Sequence, residues 1–172
     1  MNFFILFLIL CIVTHTIRTI YEFLKFRNKI NPENKITFPL IFSDMVILWI
    51  SWFGLSFTDP YKINLNPAFK YFGALLFIGG IILFILSLSK IKRFENYHGD
   101  LITDGVYKFL RHPMYFAFIL WMLGSSMFNQ SGIALVFTLI FSANIVVWQK
   151  LEEINLLKTF PDYKEYMKRT LF

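Results

Sequence analysis

Five apolar segments dominate this sequence and restrict what it can fold into. They cover residues 2–23, 38–57, 67–89, 114–128 and 132–148. Each of the first three holds about twenty residues, enough for an α-helix to cross a hydrocarbon core of about 30 Å. The fourth would reach only about 22 Å at about 1.5 Å per residue. We therefore predict an all-α membrane protein with five transmembrane helices, the last two forming a short helical hairpin around the polar turn at residues 129–132.

Composition and charge agree with a membrane protein. Of the 172 residues, 56% are hydrophobic and 16% are charged, whereas about a quarter are charged in soluble domains. The net charge of +6 could indicate nucleic acid, but loops facing anionic lipid explain it better, so we predict membrane lipids and no nucleic acid as partners. The single Cys11 offers neither a disulfide nor a cysteine metal site, and no metal is predicted.

The distribution of lysine and arginine predicts the orientation. Basic residues are concentrated after the first, third and fifth segments, whereas the other connections hold only Lys62 and Lys70. By the positive-inside rule, the N-terminus is predicted outside and the C-terminus in the cytoplasm. The first segment lacks a preceding basic region and a following cleavage site, so we expect a retained helix rather than a signal peptide.

The stretch HGDLITDGVYKFLRHPMY places polar side chains directly before the fourth apolar segment. Pro113 suits the first turn of a helix, so His112 lies at the helix start, where free N–H groups favour an anionic ligand group. Arg111 can offer a planar fork to a carboxylate, and Tyr107 and Tyr115 offer flat apolar faces. Arg, His and Tyr are also common as anchors at membrane interfaces, which leaves a non-functional explanation open.

Two acids, Glu152 and Glu153, follow the fifth segment and are predicted at the inner end of its helix. The hairpin brings them to the same membrane face as Arg111 and His112. A pocket between such cationic donors and carboxylates suits a zwitterionic or amino-acid-like ligand. The alternative is an ion pair that merely closes the hairpin.

The order of these motifs resembles the isoprenylcysteine carboxyl methyltransferase family and the related phospholipid N-methyltransferases. The resemblance covers residues 101–169 and includes Gly-x-Tyr, Arg-His-Pro-x-Tyr, an apolar hairpin, Glu-Glu and a tail with spaced tyrosines. It implies a membrane enzyme that uses S-adenosyl-L-methionine, with a cytoplasmic cofactor-binding loop and a C-terminal helix. Residues 1–172 would then be one integral membrane methyltransferase domain, with 1–89 as the membrane anchor and 90–172 as the catalytic core.

The resemblance also implies a set of site residues. The cofactor-binding positions would be His98, Leu101, Ile102, Tyr107, His112, Pro113, Met114, Tyr115 and Glu152. The predicted catalytic residues are Arg111, His112 and Glu153. Tyr163 and Tyr166 follow a proline and are expected on a short amphipathic tail helix, which either seals the site or only lies at the membrane interface. Trp148 stands where the eukaryotic enzymes look to have an arginine for the substrate carboxylate, so the acceptor is left open between a carboxylate, an amine and a thiol.

The predicted function is therefore methyl transfer to a lipophilic acceptor, at an active site on the cytoplasmic face. Two alternatives are an NADPH-dependent membrane reductase with a similar C-terminal arrangement and a membrane protein without enzymatic activity. The reductase would need more basic residues to meet the phosphates of its cofactor.

Polar residues inside the apolar segments have simpler predicted roles. His15, Arg18 and Glu22 can share one face of the first helix, where we expect ion-paired anchoring. Asp44 is predicted to be buried in a capping or packing role, although an intramembrane acid is also a functional candidate. Three glycines are expected to permit close contact between helices, namely Gly73, Gly79 and Gly80.

Overall fold

The computed structural model describes residues 2–32, 34–91 and 101–172, which form α-helices and one 3₁₀ turn but no strand. The helices are α1 (Phe3–Phe26), α2 (Thr37–Thr58), α3 (Pro67–Leu88), α4 (Pro113–Phe128), α5 (Gly132–Thr159) and α6 (Tyr163–Arg169), and the 3₁₀ turn is Gly105–Lys108. Four of them, α1, α2, α3 and α5, are long and apolar enough to cross a membrane, and α4 is a shorter apolar helix. The all-α architecture is thus confirmed for the described residues, with four candidate membrane spans and one shorter apolar helix where five transmembrane helices were predicted, while the orientation and the cytoplasmic loop stay predictions.

The fifth helix differs from its prediction. Its apolar segment ends at residue 148 and the helix was expected to end near Glu152 and Glu153, but α5 has 28 residues and continues to Thr159. Glu152 and Glu153 therefore lie within the helix rather than at its end. Polar side chains support this extension, because Lys150 Nζ lies 3.2 Å from Glu153 Oε2 across one helical turn.

Aromatic side chains fill the centre of the bundle. Trp52 of α2 is buried, and its indole N–H donates to Ser125 Oγ of α4 at 3.1 Å. The ring of Trp52 also packs against Phe141 of α5, with centroids 5.7 Å apart. Many apolar side chains point outward, as helices surrounded by lipid require. The core thus joins α2, α4 and α5 into one unit.

Glycines bring α3 and α4 into backbone contact. A Cβ atom on Gly80 would lie 2.9 Å from the carbonyl oxygen of Ala117, and one on Gly73 would lie 2.9 Å from that of Gly124. These two positions confirm the predicted close helix contact. The prediction is wrong for Gly79, because a Cβ there would meet nothing within 4 Å. Gly79 is the neighbour of Gly80 in the chain, so it lies on a different side of α3.

Asp59 closes the predicted outer end of the bundle, a role that the sequence did not reveal. It follows α2 directly and is 1% exposed. Its carboxylate accepts hydrogen bonds from Tyr61 N at 2.8 Å, from Ile133 N at 2.8 Å and from the hydroxyl of Ser131. Asp59 therefore caps α5 and ties the α2–α3 connection to the α4–α5 turn.

Charged side chains of α1 are paired as predicted, but they are buried rather than interfacial. Arg18 and Glu22 form an ion pair, and both are buried. His15 takes no part in it, since its ring stacks on Phe141 with centroids 3.8 Å apart. Asp44 is buried, as predicted. The face of α1 expected to anchor the helix at the membrane surface is instead enclosed by neighbouring helices.

Candidate active site

A cavity of about 400 Å³ lies at the end of the bundle where the Arg-His-Pro motif is found, and all six α-helices contribute to its lining. The predicted cofactor-binding residues that line it are Leu101, Ile102, Tyr107, His112, Pro113, Met114, Tyr115 and Glu152. His98, the remaining predicted residue, lies outside the described part of the chain. The motifs from the loop, α4 and α5 therefore share one cavity.

His112 stands at the centre of the polar part of this cavity. It is the N-cap residue of α4 and is buried. Its Nδ1 lies 3.7 Å from Glu152 Oε2, and its Nε2 lies 3.4 Å from the hydroxyl of Tyr163. The imidazole also stacks on Tyr115, with ring centroids 5.6 Å apart. These contacts orient the ring between α5 and α6.

The backbone N–H of His112 is already occupied. The free N–H groups at the start of α4 were expected to favour an anionic ligand, but the N–H of His112 donates to the carbonyl oxygen of Phe172 at 3.1 Å. The N–H of Arg111 donates to the carbonyl oxygens of Leu171 and Phe172, each at 3.0 Å. The tail after α6 thus covers these two N–H groups, and side chains rather than this N–H must supply the polarity of the cavity.

Arg111 and Glu153 form a buried ion pair that holds the tail in place. Arg111 Nε lies 2.9 Å from Glu153 Oε1. The same guanidinium donates from Nη1 to the carbonyl oxygens of Met167 at 3.1 Å and Thr170 at 2.6 Å. Glu153 is not among the residues that line the cavity, whereas Glu152 is. The adjacent acids are therefore divided, one pairing within the chain and the other facing the cavity.

Three tyrosines complete the polar lining. Tyr163 and Tyr166 lie on α6, the predicted tail helix, and both line the cavity with Tyr107. The hydroxyl of Tyr166 donates to the carbonyl oxygen of Tyr107 at 2.5 Å. Burial raises the pKa of Tyr166 to about 12. Burial also holds the pKa of Tyr107 and that of Tyr163 above the usual range. The second cause is a nearby carboxylate, that of Glu152 for Tyr107 and that of Glu153 for Tyr163. All three hydroxyls therefore keep their protons and can donate hydrogen bonds.

The cavity continues from this polar part into an apolar arm between α2 and α3. The arm is lined by Phe38, Phe42, Met45, Trp49, Phe84 and Leu88. Within it, the rings of Trp49 and Phe84 contact each other, with centroids 5.4 Å apart. Trp148 lines the cavity on the α5 side and is buried, and its indole N–H has no hydrogen-bond partner among the described residues.

Sequence reasoning missed the contribution of α1 to the cavity. Arg18, Tyr21 and Lys25 all line it, together with residues of α5 and α6. A signal was present, because Arg18, Tyr21, Glu22 and Lys25 follow the spacing of one helical face. That spacing identified a polar face but not the helices that enclose it.

Comparisons with known proteins give a family and several relatives. The model of the phospholipid methyltransferase family matches residues 69–162, more than half of the chain. Over 128 residues the chain is 34% identical to the Protein-S-isoprenylcysteine O-methyltransferase B of Arabidopsis thaliana, covering 70% of this chain and 57% of that protein. Over 76 residues it is 38% identical to the Protein-S-isoprenylcysteine O-methyltransferase of Schizosaccharomyces pombe, covering 40% of this chain and 30% of that protein.

A relative with a different name is similar over a comparable stretch. The chain is 35% identical over 78 residues to the cobalt-zinc-cadmium resistance protein CzcN of Cupriavidus metallidurans, covering 42% of this chain and 34% of that protein. The matched stretches thus span between about a third and somewhat more than half of the length of these curated relatives. No solved structure matches.

Proposed function

This chain belongs to the phospholipid methyltransferase family, and from that premise we propose that it transfers a methyl group from S-adenosylmethionine to a lipophilic acceptor. One observation carries the proposal. The polar residues around His112 and the apolar arm between α2 and α3 belong to the same cavity. A water-soluble donor and a membrane-dissolved acceptor can therefore meet without leaving the protein.

The residues around His112 fit such a cofactor. S-adenosylmethionine supplies, when bound, a methyl group on a positively charged sulfur atom. Glu152 faces the cavity with its carboxylate and attracts positive charge. The flat rings of Tyr107 and Tyr115 line the same region and attract a cation through their faces. The hydroxyl of Tyr163, which keeps its proton, adds a hydrogen-bond donor.

The apolar arm fits a hydrocarbon chain that enters from the bilayer. Its aromatic and aliphatic side chains exclude water and hold the reacting end of the acceptor toward His112. A carboxylate or thiolate acceptor needs no base, whereas an amine would lose a proton, and His112 is the base within reach. Isoprenylcysteine carboxylates, which the names of two relatives specify, are the first acceptors to test.

The three predicted catalytic residues divide into two roles in this proposal. His112 faces the cavity and orients or deprotonates the acceptor. Arg111 and Glu153 act through their ion pair, which fixes α5 against the tail and so holds His112 and Tyr163 in position. We place the site on the cytoplasmic face, following the charge distribution of the loops.

Calorimetric titration with S-adenosylhomocysteine tests the proposal on the purified protein. We expect binding, and an affinity about 100-fold lower in the double variant His112→Ala/Glu152→Ala, because two interactions with charged or polar side chains are lost. Glu165→Ala is the matched control, since it removes an exposed acid from α6. Equal affinity in the double variant would support a protein without enzymatic activity, and binding of NADPH without S-adenosylhomocysteine would support a reductase.

A further inference from the structure

A cluster of charged side chains on α1 forms a second polar wall of the cavity. Arg18, Tyr21 and Lys25 line the cavity, although each is buried from bulk solvent. Arginine and lysine that serve only as membrane anchors extend toward water along their apolar stems. These two cations are instead buried in the bundle at the edge of the cavity, so anchoring at the membrane surface does not explain their position.

The cations and their balancing acids are arranged asymmetrically. Glu22 pairs with Arg18 and also with Lys25, whose Nζ lies 2.8 Å from Glu22 Oε2. Asp44 of α2 is close enough for Arg18 to act on it electrostatically. Neither Glu22 nor Asp44 is among the residues that line the cavity. Two residues that carry positive charge thus line the cavity, whereas the two acids paired with or near them do not, which makes this wall attractive to an anion.

The two cations are also fixed in position before any ligand binds. The ring of Tyr21 lies between them, with Arg18 Cζ 5.1 Å and Lys25 Nζ 5.4 Å from its centroid. Such cation–π contacts, together with the shared Glu22, reduce the side-chain freedom that a ligand would otherwise have to restrict. The indole N–H of Trp148 is a further buried donor on a residue of the same cavity.

We propose that Arg18 and Lys25 bind an anionic group, a carboxylate or phosphate, of a ligand inside the cavity. The inference rests on the proposed function and deepens it, because it assigns the α1 wall of the cavity to a negatively charged part of the reactants. Two sources supply that chemistry. One is the head group of a lipophilic acid that acts as the acceptor, and the other is the carboxylate of the cofactor.

The first experiment tests the acceptor as the source of the anion and uses three probes of equal chain length. Dodecanoate, dodecylamine and dodecanol are titrated into the protein in phosphatidylcholine nanodiscs saturated with S-adenosylhomocysteine. Trp49 and Trp148 line the cavity and supply a fluorescence signal. If the anion comes from the acceptor, dodecanoate binds about tenfold tighter than dodecanol, and Arg18→Gln removes that preference.

The second experiment tests the cofactor as the source of the anion and compares S-adenosylhomocysteine with methylthioadenosine, which lacks the amino-acid part. If the anion comes from the cofactor, Arg18→Gln weakens S-adenosylhomocysteine about tenfold and leaves methylthioadenosine unchanged. Either result supports the proposal and identifies the source. Unchanged affinities in both experiments overturn it.

Two further variants separate ligand binding from a structural role. Glu22→Gln removes the acid behind the cations, so the anion should bind several-fold more tightly, opposite in sign to Arg18→Gln. A purely structural cluster would lose affinity in both variants. Arg27→Gln, which removes a charge from an exposed position just after α1, is the matched control. If Arg18→Gln does not fold, Lys25→Gln provides the same comparison.

This inference and the proposed function fail in different ways. If the wild-type protein does not bind S-adenosylhomocysteine, the proposed function is refuted, and the dodecanoate experiment, repeated without it, still tests the anion site. If the wild-type protein binds S-adenosylhomocysteine, and Arg18→Gln and Lys25→Gln change neither the acceptor-probe affinities nor the cofactor-analogue affinities, only the anion site is refuted.

Discussion

The two ends of this helical bundle use acids in opposite ways. At the predicted outer end, Asp59 accepts hydrogen bonds from the backbone N–H groups of Tyr61 and Ile133, which joins two connections of the chain. At the other end, Glu152 Oε2 lies 3.7 Å from His112 Nδ1, and Glu152 lines a cavity. A buried acid whose partners are all in the chain stabilises the fold, whereas a partly exposed acid that faces a cavity is available to a ligand.

Glu152 and Glu153 repeat this contrast between adjacent residues. Glu153 receives Arg111 and Lys150 at 2.9 and 3.2 Å. Glu152 lines the cavity one position earlier on α5. Charge and sequence neighbourhood are therefore poor guides to role, and the direction of the side chain on the helix decides it.

The largest effect is expected from breaking the buried pair at the cavity end. Arg111→Ala should lower the free energy of unfolding by about 3–5 kcal/mol, because it leaves Glu153 buried without its main partner. The double variant Arg111→Met/Glu153→Leu should recover most of that loss, since it removes both charges. Thermal unfolding in detergent measures both. If Arg111→Ala were as stable as the wild type, Glu153 would not depend on its ion pair, and it would be an acid available to a ligand, as Glu152 is.

A smaller loss is expected at the outer end. Asp59→Ala should destabilise the protein by about 2 kcal/mol, because it removes the cap of α5 and leaves backbone N–H groups unsatisfied. Its affinity for S-adenosylhomocysteine should stay unchanged. Glu152→Gln is the matched variant, and it should change stability by less than about 0.5 kcal/mol while weakening that affinity. If the two variants exchanged these effects, the contrast between the ends would be wrong.

Packing between the ends can be tested with neighbouring glycines. Gly80→Ala should cost about 1–3 kcal/mol, because its Cβ would press on the backbone of α4. Gly79→Ala should be neutral or stabilise the helix by up to about 1 kcal/mol, since its Cβ would meet nothing within 4 Å. Unfolding in detergent compares the two. Equal losses would contradict the backbone contact.

The smallest effect concerns the pKa of Tyr166, which burial raises to about 12 from an unfolded value of about 10. Below pH 10 both states hold the proton, and above it the unfolded state releases the proton first. Stability should therefore fall as pH rises from 10 towards 12, by about 0.8 kcal/mol from this residue at pH 10.5. Tyr166→Phe should remove this share of the pH dependence. An identical pH profile in the variant would mean that the hydroxyl ionises normally in the folded protein.

Much of the fold was predictable from the sequence, because hydropathy reports burial in lipid directly. The first four apolar segments correspond to α1 to α4 within a few residues. The continuation of α5 to Thr159 was missed, because the helix goes on after the apolar pattern ends and is supported there by the pairing of Lys150 with Glu153. Hydropathy identifies the part of a helix that lies in lipid, but it does not predict how far the helix continues beyond the lipid.

The site was predictable only in part, for a related reason. The grouping of Tyr107, His112 and Glu152 followed from the motifs and the hairpin, and the structure brings them to one cavity. The roles of Asp59 and Lys25 depend on helices distant in sequence, so no local pattern reveals them. The distinction between Glu152 and Glu153 depends on the rotation of α5, which the sequence places only approximately. The division of the chain at residues 89 and 90 and the roles of the site residues stay predictions.

The backbone contact between α3 and α4 has a mechanical consequence. At Gly73, Gly80 and Gly124 the two helices approach through their backbones with no side chain between them, so sliding one along the other would force main-chain atoms to collide there. This pair forms the rigid side of the cavity. Any widening that admits a bulky hydrocarbon must therefore come from displacement of the other lining helices, α2 among them, and distance labels between α2 and α3 would register such a movement of α2 while labels between α3 and α4 would stay constant.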